Sequence, residues 1–313
     1  MAPKRVKAYF LLLITAIIWG IASPVIKGTL HYIQPFSFLF WRFLLTSLIF
    51  LPIFFIYKRT KKIKLNAQKI LTLSFLGFLG TTLSLGLLFL GYNYTTAIDG
   101  SIIYSIAPIL VVIGGALFLQ EKITKMERAG TILAFLGSLI IVIQPILEGK
   151  AFALKNIYGN VLVLFSAVAW AGYCLLVRRS EAKEKIDPFI LTAVGFFAGF
   201  ITIIPFFLYE NFITNDYLKS VFLPTQPLFY LNFSAILGIL YMSLFSSVIA
   251  YFTYNLGYAL IEASEATIFD YLKPVFAAPL AVLWLGEKIT PPFLTGAFVI
   301  FLGVLLTEFK TKK

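Results

Sequence analysis

Long apolar runs alternate with short polar punctuation along the chain. Ten runs stand out, at about 8–27, 36–57, 70–91, 97–119, 127–145, 158–177, 188–209, 231–257, 263–285 and 292–309. Crossing a hydrocarbon core of ~30 Å takes roughly 20 helical residues, and each run is near that length. The ~9–11-residue alternating segments of a membrane β-barrel do not occur. Many of the runs are apolar all round, so length and punctuation define the elements rather than helical period. The pattern predicts an all-α membrane protein of ten transmembrane helices.

Composition agrees with this. The 313 residues are 60% hydrophobic and 13% charged, against about 45–50% and 25% for a soluble domain. A net charge of +12 would suggest nucleic acid in a soluble protein. Here the basic residues follow the loops instead. Nineteen of the 26 Lys and Arg lie in the N-terminus, the second, fourth and sixth inter-run loops, and the C-terminal tail. The positive-inside rule places both termini in the cytoplasm, which requires an even number of spans. A lipid bilayer is the predicted partner, and no nucleic acid is. The basic start followed by a long apolar run reads as a retained first span, because the run exceeds a signal h-region and no A-x-A site closes it. The absence of targeting signals suits a multi-pass protein of a bacterial inner membrane.

The chain also repeats itself. LQEKIT at 119–124 matches LGEKIT at 285–290, an offset of 166. The same offset carries Pro108 onto Pro274, Tyr92 onto Tyr258, and FLG at 135–137 onto FLG at 301–303. Nearer the start the offset is smaller: QPF at 34–36 falls on DPF at 187–189, and Trp19 falls on Trp170. Two units follow, 1–149 with spans one to five and 150–313 with spans six to ten. Five is odd, so the second unit enters the membrane from the opposite side. Such inverted repeats are common among secondary transporters, with the binding site near the midplane between the halves.

Two five-span repeats, each with a Pro-containing fourth span, L-x-E-K-I-T and a Gly-containing fifth span, resemble the EamA family of the drug/metabolite transporter superfamily. WRF at 41–43 is similar to an aromatic-Arg-aromatic of the family's second span, and IIWG at 17–20 to the opening of its first. The resemblance covers essentially the whole chain. It implies a ten-helix bundle with a central cavity lined by spans 1, 3, 4, 6, 8 and 9, and export or exchange without ATP. It does not specify a substrate. The second half departs from the pattern at Gly195, which stands where Arg42 stands in the first.

Candidate chemistry concentrates in FDYLKPVFAAPL, 269–280. Lys273 falls about 15 Å into the ninth span, where a charge costs roughly 2.5–3.5 kcal/mol. Asp270 and Lys273 are i,i+3 and can neutralise each other on one face; alternatively they face a wet cavity and bind substrate. Pro274 frees a carbonyl one turn back, and freed backbone at membrane depth is tolerated in a protein-buried or cavity-lining place. Its equivalent Pro108 keeps the break, while Tyr104 and Ala107 replace the charged pair. Arg42 reads either as a brace to a carbonyl or the interface, or as a gate or anion contact. Asp99 and Glu265 read as helix-start carboxylates or coupling groups, and Glu121 and Glu287 as structural.

Polar aromatics complete the set. Trp19, Trp170 and Tyr173 lie on spans 1 and 6. Ser247, Tyr251, Tyr254 and Tyr258 follow i, i+4, i+7, i+11 on span 8, and Thr82, Gly86, Phe89 and Asn93 do so on span 3. The predicted substrate site is Asp270, Lys273, Trp19, Trp170, Tyr173, Tyr254, Asn93 and Tyr104, with Pro108, Pro274 and Arg42 as helix-break or gating positions. Gly195 and Gly199 read as packing only.

The predicted function is a secondary transporter exporting or exchanging a small polar metabolite, an amino acid first: Lys273 would meet a carboxylate and Asp270 an amine. Phosphorylated or nucleotide-linked cargo is the alternative, with Arg42 and Lys273 as the cation pair. A coupling proton or a counter-substrate is the further expected partner. A membrane-embedded enzyme would need a nucleophile with its base, or metal ligands; one His and one Cys supply neither. No cofactor or metal is predicted, and the absence of a Walker motif removes ATP as the direct driver.

Overall fold

The computed structural model describes residues 3–94, 103–104, 106–121, 123–147, 157–184, 186–213, 232–273, 275–277, 279, 283 and 291–308. Among them every regular element is helical and no strand occurs. In chain order the helices are α1 (Pro3–Leu30), α2 (Pro35–Thr60), α3 (Ala67–Tyr94), α4 (Ala107–Phe118), α5 (Lys125–Leu147), α6 (Ile157–Glu184), α7 (Pro188–Leu208) and α8 (Phe233–Tyr258). Then α9 starts at Ala263–Ala266 and tightens into 3-10 turns over Thr267–Leu272, and α10 is Pro291–Glu308. Six helices, α1, α2, α3, α6, α7 and α8, are long and apolar enough to cross a membrane. The shortest of these segments, Tyr158–Ser180, has 23 residues and reaches about 35 Å. In the fourth, fifth, ninth and tenth predicted spans the described residues form α4, α5, α9 and α10. Large apolar side chains such as Phe10, Ile56, Leu71 and Phe118 are exposed, a surface that a bilayer solvates and water would not.

Helix starts follow the polar punctuation. Asn66 accepts from Lys69 N at 2.8 Å and Asn232 from Ser234 N at 2.9 Å, each satisfying an otherwise orphaned first-turn N–H. Thr124 and Glu127 exchange backbone and side-chain bonds of 2.8 and 3.2 Å at the start of α5, so the Thr of EKIT opens a capping box.

The starts of α2 and α7 are held differently, although QPF and DPF are repeat equivalents. Asp187 caps its own helix, accepting from Phe189 N and Ile190 N, and also accepts from Tyr57 OH at the end of α2. At the start of α2 the cap residue Gln34 makes no side-chain cap bond. Glu210, beyond the end of α7, reaches across instead and accepts from Phe36 N, Ser37 N and Ser37 Oγ at 3.0, 2.7 and 2.9 Å.

Packing follows a pairwise scheme. α2 lies on α7, α4 on α9, α5 on α10, α1 on α8 and α3 on α6. Exchanging each helix for the one five places along maps this set of pairs onto itself. α3 and α7 meet backbone to backbone: a methyl placed on Gly77 would sit 2.5 Å from Gly195 Cα, and one on Gly199 would sit 2.4 Å from Thr81 Oγ1. These glycines serve packing, as small residues at membrane helix contacts do.

α3 and α8 widen in mid-helix into π turns, over Phe78–Leu83 and Met242–Ala250, and α7 runs on into one over Tyr209–Ile213. The 166-residue offset carries 78–83 onto 244–249, so the wide turns of α3 and α8 occupy equivalent places in the two halves. π segments are rare and frequently lie at functional sites.

Candidate functional site

α1, α6 and α8 bring five aromatic rings together beside α9. Trp19 on α1 lies edge-on to Trp170 on α6 at 5.5 Å and to Tyr251 on α8 at 5.2 Å, with Tyr254 at 5.1 Å. Trp170 also meets Tyr173 at 5.2 Å and Tyr254 at 5.5 Å. These separations and tilts are those favoured by ring quadrupoles. Trp170, Tyr173, Tyr251 and Tyr254 are all buried.

The charged pair closes the cluster. Lys273 Nζ is 2.9 Å from Asp270 Oδ1 and 4.5 Å from the centre of the Trp19 ring. The ammonium is thus held by a carboxylate and by an aromatic face, a geometry in which the ring quadrupole attracts the cation. The two side chains keep 20% and 12% of their surface exposed, so the pair is screened but not sealed. α1 presses directly on this turn: a methyl on Gly20 would come within 2.7 Å of Lys273 O.

Around the rings the polar groups form bonded chains. Tyr173 OH donates to Asn255 Oδ1, and Asn255 Nδ2 donates to Thr192 Oγ1, both at 2.9 Å. Cys174 Sγ and Tyr254 OH are 3.1 Å apart. Tyr251 OH donates to Gly80 O at 3.2 Å, and Trp19 Nε1 donates to Ser246 O at 3.2 Å. A small cavity with room for about one water lies against Thr81, Tyr173, Thr192, Gly195, Tyr251 and Asn255.

Arg42 is 1% exposed. Its Nε donates to Ser247 Oγ at 2.7 Å and its Nη2 to Ser246 Oγ at 3.2 Å. Ser247 Oγ in turn donates to Met242 O, five residues back in the π segment. Arg42 therefore braces α2 against the wide turn of α8, and it does not reach an interface.

The structure brings together six of the predicted site residues: Asp270, Lys273, Trp19, Trp170, Tyr173 and Tyr254. Tyr104 is half-buried against the core and lies within electrostatic reach of Asp270. Asn93 stands apart from these six: it is exposed in the last turn of α3, at a helix end rather than in the buried cluster, because facing a direction does not set a depth. Pro108 lies in the first turn of α4, where a missing N–H costs no helical bond. Pro274, Asp99 and Glu287 lie outside the described residues, although the tightening to 3-10 turns immediately precedes position 274. Glu265 is buried and accepts from Arg5 Nε and Tyr9 OH. Glu121 caps another helix, accepting from Ala263 N, Ser264 N and Ser264 Oγ at the start of α9. Sequence reasoning missed Ser246, Asn255 and Thr192. The repeat offset held a signal for the first, since it places Ser246 and Gly80 at equivalent points of the two π segments.

Comparison with known proteins gives one consistent picture. The profile of the EamA-like transporter family matches the chain twice, over residues 6–143 and 157–309. An uncharacterized transporter of Archaeoglobus fulgidus is 31% identical over 97% of this chain and 98% of its own length. A probable amino-acid metabolite efflux pump of Salmonella typhimurium is 26% identical over 96% and 94%. A crystal structure with 15% sequence identity superposes with a TM-score of 0.77 over 97% of this chain and 99% of that one, a likeness of fold.

Proposed function

Since the chain belongs to the EamA-like transporter family, and is a multi-pass membrane protein, we propose that it exports or exchanges a small amino acid or related zwitterion by alternating access. One observation carries this reading: a carboxylate and an ammonium, paired at 2.9 Å, meet an aromatic cluster with the ammonium over Trp19. A zwitterion presents the complementary charges. Its ammonium would take the place of Lys273 on Asp270 and the ring face, and the displaced Lys273 would bind its carboxylate. The efflux-pump name of the Salmonella relative supports amino-acid cargo.

The architecture we propose is ten spans in two five-span halves, 1–149 and 150–313, of opposite orientation about a central cavity. The exchange-symmetric helix pairing and the equivalent π segments support it. Both termini face the cytoplasm of a bacterial inner membrane in this scheme, from the distribution of Lys and Arg. A phosphorylated cargo would need a second cation beside Lys273. Arg42, the residue that could supply it, is instead engaged with Ser246 and Ser247.

Counterflow in proteoliposomes tests the proposal. Vesicles preloaded with pooled amino acids should accumulate labelled amino acid with the wild-type protein and not with Lys273→Ala. Equal accumulation by both would show that the pair is only structural. No accumulation by wild type would remove amino acids as cargo.

A further inference from the structure

Trp19 and Trp170 are repeat equivalents, and both indoles enter the same cluster. Their N–H groups fare differently. Trp19 Nε1 donates to Ser246 O, a carbonyl of the π segment in α8. The 166-residue offset makes Gly80, in the π segment of α3, the equivalent of Ser246. Yet Gly80 O does not accept from Trp170. It accepts from Tyr251 OH at 3.2 Å. Trp170 is 3% exposed, and its Nε1 has no hydrogen-bond partner among the described residues. The first half has Leu85 where Tyr251 stands in the second, so no hydroxyl at that place competes for Ser246 O.

A buried, unpaired donor is rare enough in a native structure to call for a cause. An indole N–H is a donor only, so what it lacks is an acceptor. Resting on the amino-acid reading above, we propose that Tyr251 is a positioning residue: by occupying Gly80 O it keeps the Trp170 N–H free to donate to a carboxylate oxygen of the cargo. The site is built for this. Trp170 packs edge-on against Trp19, and Trp19 carries the Lys273 ammonium on its face. One carboxylate can therefore meet a fixed donor on one side and a mobile cation on the other. The orphan donor also selects: an amine without a carboxylate would leave the N–H buried and unpaired, the condition under which polar sites discriminate well.

The chain has four tryptophans, so indole ¹H–¹⁵N resonances in nanodiscs can be assigned by single Trp→Phe variants. Without cargo, Tyr251→Phe should move the Trp170 indole proton downfield, because Gly80 O becomes available as Ser246 O is to Trp19. With wild type, L-leucine and L-phenylalanine should move it downfield as well, while isoamylamine and phenethylamine should not, and should bind roughly tenfold more weakly. That preference should shrink by roughly this factor in Tyr251→Phe and in Trp170→Phe, leaving the part that Lys273 supplies. No cargo-free shift in Tyr251→Phe, with leucine still binding, would overturn the part given to Tyr251. Equal binding of acids and amines would overturn the carboxylate contact. If neither class moves any indole resonance, the carboxylate contact falls together with the amino-acid cargo of the preceding subsection.

Discussion

The contact between Gly77 and Gly195 makes an asymmetric prediction. Each glycine faces the other across the α3–α7 contact, yet the room beside them differs. A methyl on Gly77 would lie 2.5 Å from Gly195 Cα and 2.6 Å from Gly195 O. Both are backbone atoms, so no rotamer change relieves the clash and the helices must part. Overpacking of this kind costs up to about 3 kcal/mol, offset by about 1 kcal/mol of helix propensity gained by replacing glycine. The net expected destabilisation of Gly77→Ala is about 2 kcal/mol. A methyl on Gly195 points elsewhere and lies 3.5 Å from Gly77 Cα, an ordinary contact. Gly195→Ala should therefore be neutral or stabilised by up to about 1 kcal/mol. At roughly 2–4 °C per kcal/mol for chains of 150–250 residues, the two variants should differ in apparent melting point by about 5–10 °C. Thermal unfolding of the purified protein in one detergent, followed by loss of the monodisperse size-exclusion peak, reads this difference. Equal midpoints, or a less stable Gly195→Ala, would refute the contact geometry from which the figures come.

Two further outcomes follow from the polar contacts. Glu121→Ala leaves Ala263 N and Ser264 N without their acceptor and should cost on the order of 1–3 kcal/mol; the amides of Ala263 and Ser264 should exchange faster with deuterium, and unchanged exchange would show that Glu121 does not hold the start of α9. Arg42→Lys replaces a fork that spans Ser246 and Ser247 with a single ammonium, losing one of two buried charge-assisted bonds. An apparent melting point lowered by several degrees is expected, and an unchanged one would mean that Arg42 does not brace the π segment.

Much of this molecule was legible in the amino-acid order. Six of the ten predicted runs are helices long and apolar enough to cross a membrane, and the offset that joins the two EKIT stretches also joins the π segments of α3 and α8. The i,i+3 spacing of Asp270 and Lys273 allowed both a mutual pair and a substrate contact, and the structure holds them paired; the meeting of Trp19, Trp170 and Tyr254 was anticipated from residue type together with the spans that the family resemblance puts around the cavity. What spacing could not give was depth and partner. Asn93 shares a predicted stripe with Phe89, but Phe89 packs on Phe38 in the core while Asn93 leaves the bundle at the helix end. Arg42 read either as a brace to a carbonyl or the interface, or as a gate or anion contact; only the approach of α8 shows that it braces, and on two serine hydroxyls rather than a carbonyl. The π turns are invisible to a 3.6-residue period, since they alter it, and with them went the carbonyls of Gly80 and Ser246.

The starts of α2 and α7 carry a consequence for how the two halves have diverged. Residues 34 and 187 are equivalents, as are 57 and 210, and each helix start is served by one position of either kind. At one start the carboxylate is on the cap, Asp187, and the facing position holds the phenol of Tyr57. At the other the cap is Gln34, and the facing position holds the carboxylate of Glu210. A helix start binds one negative charge well, and a second beside it would be repelled. The two copies have thus divided an identical task in opposite ways, and neither can adopt the other's acidic residue without giving up its own.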